Sequence, residues 1–118
     1  MLTEENKAMM RRFIDVWSTG TVDSLDEIIA ADFVWHNTGR RGAEAMKQQV
    51  IAFRSIFPDV HLVTEDVIAE DDKVVVRLSG SGTHKGEFSG IKTTGKKVTW
   101  TGIAIGRCSG GKLVEMWS

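Results

Sequence analysis

The chain has no tyrosine, one proline and one cysteine among its 118 residues. A single cysteine cannot close an intramolecular disulfide, so a reducing, cytoplasmic setting is expected. Cys108 lies near the end of an apolar run with no basic pattern beside it, which reads as a small core residue rather than a nucleophile. No apolar stretch approaches the ~20 residues of a membrane-spanning helix, and the opening Met1-Leu2-Thr3-Glu4-Glu5-Asn6 is too acidic and polar for a secretory signal. An excess of either charge is also missing, since 15 basic residues face 16 acidic ones for a net charge of −1. The pairs Arg11-Arg12, Arg40-Arg41 and Lys96-Lys97 are too short to make a nucleic-acid footprint. His36, His61 and His84 stand far apart, with no HxxxH or CxxC, so no metal site is expected. With no GxGxxG and no phosphate-binding loop, no cofactor is expected either.

What is present begins with helical periodicity. Met9, Met10, Phe13, Ile14 and Trp17 recur at spacings of three and four, which predicts an amphipathic helix from Thr3 to Thr19, capped by Thr3 and ended by Gly20. A short second helix fits Asp23 to Ala30 with Leu25, Ile28 and Ile29 inward, and Phe33-Val34-Trp35-His36 reads as a short strand. Gly42 to Phe57 carries Met46, Val50, Phe53 and Phe57 on one face and is stopped by Pro58. From there the period becomes two. His61 to Glu70, Lys73 to His84, Lys97 to Arg107 and Lys112 to Trp117 read as strands, with a turn at Asp71-Asp72 and a hairpin at Ser109-Gly110-Gly111. Helices first and four consecutive antiparallel strands after them predict one α+β domain over residues 1–118, its helices packed on one face of a curved sheet.

A second layer of signal is the segment Gly82-Thr83-His84-Lys85-Gly86-Glu87-Phe88-Ser89-Gly90, preceded by Phe57-Pro58-Asp59 and followed by Thr94-Gly95 and Gly111-Lys112-Leu113-Val114-Glu115-Met116-Trp117. This ordered set resembles the SnoaL-like polyketide cyclase family, within the nuclear transport factor 2-like superfamily. Its members read fPD, GtHxGxfxG, TG and GKivExW in that order. The resemblance implies a cystatin-like, cone-shaped α+β barrel, in which a curved antiparallel sheet wraps around N-terminal helices and encloses a pocket. It also implies a homodimer formed through the outer face of the sheet. The implied activity is a cofactor-free cyclisation or isomerisation of a polyketide-like, flat apolar ketone by intramolecular aldol chemistry. The carbon between two carbonyls is already acidic, so one base, one acid and a pocket that folds the chain are enough. Two features depart from the family pattern. Relatives usually carry an Asp a few residues beyond the ExW strand, a position past Ser118, and commonly a proline before Thr-Gly where this chain has Ile91-Lys92-Thr93-Thr94-Gly95. The alternative is therefore a non-catalytic small-molecule-binding domain of the same fold.

The candidate site residues come from both sources. Alternation gives each strand two faces, with Trp100 and Gly102 expected inward, where a small residue beside a large aromatic leaves room for a flat ligand. Trp17, Trp35, Trp100 and Trp117 lie on separate elements and are expected either to fill the core or to converge on one aromatic pocket with Arg77 and His84. His84 is alternatively a structural turn residue of the glycine-rich bend. Glu115 is the one acid in the apolar strand Leu113 to Trp117, where alternation puts Leu113, Glu115 and Trp117 on one face. Burial there would raise its pKa and suit it to proton exchange, unless it is instead the ion partner of Arg77 or Arg107. His36, at a strand end beside a loop, is the second acid–base candidate, or a histidine bonded to loop backbone. Glu115 and His36 are thus the expected catalytic pair, and a small apolar or aromatic molecule the expected ligand.

Overall fold

The computed structural model describes residues 2–87 and 90–118; Met1, and Phe88 and Ser89 of the glycine-rich segment, lie outside the described residues. The elements run α1 (Leu2–Thr19), a 3-10 turn (Val22–Ser24), α2 (Leu25–Ile28), β1 (Ile29–Trp35), β2 (Arg40–Arg41), α3 (Gly42–Ile56), β3 (His61–Glu70), β4 (Lys73–Thr83), β5 (Lys97–Ser109) and β6 (Lys112–Trp117). Ile29 and Ala30, which the apolar spacing assigns to the second helix, belong to β1 instead, where Ile29 pairs with Leu113.

The strands form one curved, unclosed sheet in the order β2-β1-β6-β5-β4-β3. The α+β class and the packing of helices on one face of the sheet are as expected. The sheet itself is mixed, because β1 pairs with β6 in parallel while the other neighbours are antiparallel. Helices and sheet share a core of Met10, Phe13, Leu25, Ile28, Phe33, Met46, Val50, Val74, Val76 and Leu113, all essentially without solvent contact. No described helix is long and apolar enough to cross a membrane.

The C-terminal end of α1 is fixed by three separate contacts. Gly20 takes a positive φ of 76° and donates its N–H to Val16 O at 2.8 Å, a left-handed helix stop that a side chain would strain. Arg54 of α3 donates to the carbonyls of Trp17 and Ser18 at 3.0 and 2.7 Å, and Ser18 Oγ accepts the Leu62 N–H at 2.9 Å. Trp17 is thereby held against both α3 and the sheet.

Register decides which strand residues face the helices. On β4 the buried residues are Val74, Val76, Gly80 and Gly82; on β5 they are Ala104, Gly106 and Cys108. Across β5 and β6, Arg107 pairs with Glu115 but Cys108 pairs with Leu113, leaving Val114 as an extra residue. This bulge breaks the alternation. Leu113 and Met116 both face the core, while Glu115 and Trp117 face outward. On that outer face Ile68, Val75, Ile105 and Trp117 stand opposite one another across four strands.

Candidate functional site

Between the helices and the inner face of the sheet lies a cavity of about 210 Å³. Phe13, Ile14 and Trp17 of α1 and Phe53 of α3 form one side; Trp35, Leu62, Leu78, Trp100, Ala104 and Met116 of the sheet form the other, with Ser118 completing the wall. Phe13, Ile14, Ala104 and Met116 are buried, whereas Trp35, Phe53, Leu62, Leu78 and Trp100 are half-buried. The aromatic rings meet edge to face. Trp17 lies 6.4 Å from Trp35 and 5.5 Å from Phe53, and Phe53 lies 5.9 Å from Trp100, each pair near perpendicular. Such pairs favour one another beyond their buried area, so the cage holds its shape. Its polar features are few. Trp35 Nε1 donates to Ser118 Oγ at 3.0 Å, and Ser118 N donates to Asn37 Oδ1 at 2.7 Å.

Three of the expected pocket residues, Trp17, Trp35 and Trp100, converge on this cavity, and four do not line it. Gly102 shares the inward face of β5 with Trp100, but Leu78 occupies the space beside it, with Cδ1 3.6 Å from where a Cβ would sit. Arg77 points outward, its Nε donating to Asp66 Oδ2 at 2.6 Å. Trp117 is turned outward by the bulge and stacks on His36, with ring centroids 4.8 Å apart and planes 12° from parallel. His84 sits behind the wall, tilted on Phe57 at 5.9 Å, and Phe57 in turn contacts Trp100 at 5.4 Å. The His84 backbone is held by Lys96, Gly95 and Thr93, and its Nδ1 lies 3.1 Å from Thr94 Oγ1. Its Nε2 is buried with no hydrogen-bond partner among the described residues.

Glu115 and His36 do come together, on the side of the sheet away from the cavity. Arg107 Nε donates to Glu115 Oε1, and His36 Nε2 lies 2.7 Å from Glu115 Oε2. The expected rise in the Glu115 pKa is overturned. The Arg107 guanidinium first, and the His36 imidazole second, hold this carboxyl below the usual carboxylate range, outweighing its partial burial. An ionised carboxylate only accepts, so the His36 Nε2 bears the proton in this contact. Of the two arginines considered as partners for Glu115, the one on the adjacent strand, Arg107, takes that place.

The wall residues missed from the sequence are Phe13, Ile14, Phe53, Leu62, Leu78, Ala104, Met116 and Ser118. Phe13 and Trp17 are one helical turn apart, a signal that could have placed both on one wall. Met116 carried no such signal, because the bulge at Val114 decides its face. Among the described residues no three His, Cys, Asp or Glu side chains gather as metal ligands would. Among the described residues the site is thus an aromatic and aliphatic cage with one hydroxyl, that of Ser118, on its wall.

The model of the family described as SnoaL-like polyketide cyclase matches residues 7–118. Solved structures of similar fold include a candidate polyketide cyclase from Bacillus cereus, 30% identical over 96% of this chain and 72% of its own, with a TM-score of 0.81. IdmH from Streptomyces antibioticus, also a candidate polyketide cyclase, is 26% identical over 95% of this chain and 88% of its own, with a TM-score of 0.82. AclR from Streptomyces galilaeus, a candidate hydroxylase, is 28% identical over 98% and 74% of the two chains, with a TM-score of 0.85. Comparison with curated protein sequences finds no match.

Proposed function

Because the chain belongs to the SnoaL-like polyketide cyclase family, we propose that it receives a flat, apolar, polyketide-like ketone in its aromatic cavity and acts as a small-molecule-binding domain. The observation that carries this reading is the make-up of the wall, whose described residues are aromatic and aliphatic apart from Ser118. Apolar surface removed from water contributes about 25 cal/mol per Å², and aromatic residues on both the helix side and the sheet side offer a flat ketone such surface. Glu115, the obvious carboxylate, is committed to Arg107 and His36 across the sheet.

A second reading keeps the acid–base chemistry of a cofactor-free cyclase or isomerase, and His84 favours it. Its buried Nε2 has no partner among the described residues, and the imidazole packs on Phe57, which in turn packs on the cavity residue Trp100. In that chemistry a base removes the proton between two carbonyls, and the enolate carbon attacks a third carbonyl to form the ring bond. The resulting alkoxide then takes up a proton. Proton transfer by a positioned group is worth on the order of 10² to 10⁴ in rate. Fold alone does not choose between the readings.

The deciding experiment incubates the protein with a two-ring ketone and with an aromatic β-keto ester, measuring binding by calorimetry and conversion by chromatography. Binding without conversion supports the first reading. Conversion lost in His84→Gln, with binding retained, supports the second. Absence of binding removes both.

Two further expectations belong to this proposal. The outer row of Ile68, Val75, Ile105 and Trp117, with Ile68 66% and Ile103 59% exposed, supports a homodimer through that face. Cys108, a lone cysteine with no second one in the given sequence to pair with, supports a reducing, cytoplasmic setting.

A further inference from the structure

We propose that the cavity is sized for a ligand of one or two fused rings, and that Trp100, seated on Gly80 of the neighbouring strand, sets that limit. The inference deepens the binding reading above and rests on it. At about 210 Å³ the cavity exceeds the ~150 Å³ that holds a benzene ring. It falls short of the ~300 Å³ at which sites for larger ligands begin.

Trp100 is the wall residue best placed to set the limit. It pairs directly with Gly80 across β4 and β5. A Cβ on Gly80 would lie 2.5 Å from Trp100 Cε2 and Nε1, and 2.7 Å from Leu62 Cδ2, well inside van der Waals contact. The indole therefore lies against bare backbone, a close approach that glycine alone permits. Phe53 and Phe57 pack on Trp100 at 5.9 and 5.4 Å, so an indole pushed off Gly80 has the cavity to move into. Phe13 and Trp17 also line the space, but they are buried core residues whose loss would collapse the floor. Trp100 is half-buried at the wall, where its size changes the space more than the core.

The test measures dissociation constants for acetophenone, 1-tetralone and anthrone, ketones of one, two and three rings, by calorimetry. The wild-type protein is expected to bind the first two and to bind anthrone about tenfold or more weakly, the order by which a packed pocket discriminates size. Trp100→Ala is expected to reverse that preference. Gly80→Ala should weaken 1-tetralone by about tenfold or more. Trp100→Phe, the gentlest change, should fall between wild type and Trp100→Ala for anthrone, and circular dichroism confirms that each variant is folded. Anthrone binding to the wild type as tightly as 1-tetralone overturns the size limit while leaving the binding reading intact. An unchanged preference in folded Trp100→Ala and Trp100→Phe overturns the role of Trp100. If none of the three ketones binds, the binding reading falls and takes this inference with it.

Discussion

Glu115 and Met116 are neighbours in the chain and face opposite sides of the sheet: Met116 closes the aromatic cavity, while Glu115 joins Arg107 and His36 on the outer surface. The alternation of a strand makes that separation unavoidable, and the bulge at Val114 sets its phase. The acidic residue most suggestive of chemistry is therefore separated from the cavity by the thickness of the sheet.

Replacing Glu115 by Gln tests that separation. The substitution keeps the shape and removes the charge, so the dissociation constant for 1-tetralone should change by less than about twofold, well under 1.4 kcal/mol. The melting temperature should fall, since the Gln amide offers Arg107 and His36 one uncharged acceptor oxygen where the carboxylate offered each its own. Calorimetric binding and melting on the same samples separate the two effects.

Acid should destabilise the protein through lowered carboxyl groups. Glu115 is held down by Arg107 and then His36, and Asp59 by the Thr83 backbone N–H and then the Thr83 hydroxyl, at 2.7 Å each. Both folded pKa values lie below the unfolded ones, so their stabilisation is fully present above about pH 4.3 and is lost as pH falls through the folded values. The melting temperature should drop below pH 4 in the wild type and drop less steeply in Glu115→Gln. Equal slopes in the two proteins would contradict the assignment.

Phe33 anchors β1 in the core with no exposed surface, and β1 presents Trp35 to the cavity. Phe33→Ala should cost about 3–5 kcal/mol, the usual loss for emptying a buried aromatic site. Chemical denaturation at constant slope would measure it. A cost under about 1 kcal/mol would mean that the site collapses without loss.

Light scattering checks the homodimer. The protein is expected to elute at twice its 13.1 kDa chain mass, and Ile103→Asp to elute at the single-chain mass, because a carboxylate would be buried against the second copy. A single-chain mass for the wild type would remove the dimer.

Much of this was legible in the residues. The bounds of His61–Glu70 and Lys112–Trp117 follow from the turn residues that flank them, and the stop of α3 from Pro58. Four tryptophans on separate elements admit either core filling or an aromatic pocket, and three of them line one cavity. What stayed hidden depends on pairing partners distant in sequence. Arg40–Arg41 forms a strand of two exposed arginines with no alternation to reveal it. The parallel pairing of β1 with β6 joins segments some eighty residues apart. The bulge at Val114 leaves no mark on the apolar pattern, so Trp117 and Glu115 were assigned to the face of Leu113. Arg77 was misplaced for a related reason, because alternation names two faces without saying which one meets the helices.

The cavity, rather than any other tryptophan-bearing surface, is where the proposed ligand binds. Titration of 1-tetralone, followed on the four assigned indole N–H resonances by NMR, separates these surfaces. Saturable shifts are expected for Trp17, Trp35 and Trp100, which line the cavity, with Trp117 on the outer face left in place. Shifts confined to Trp117, or none at any indole, would contradict binding in the cavity.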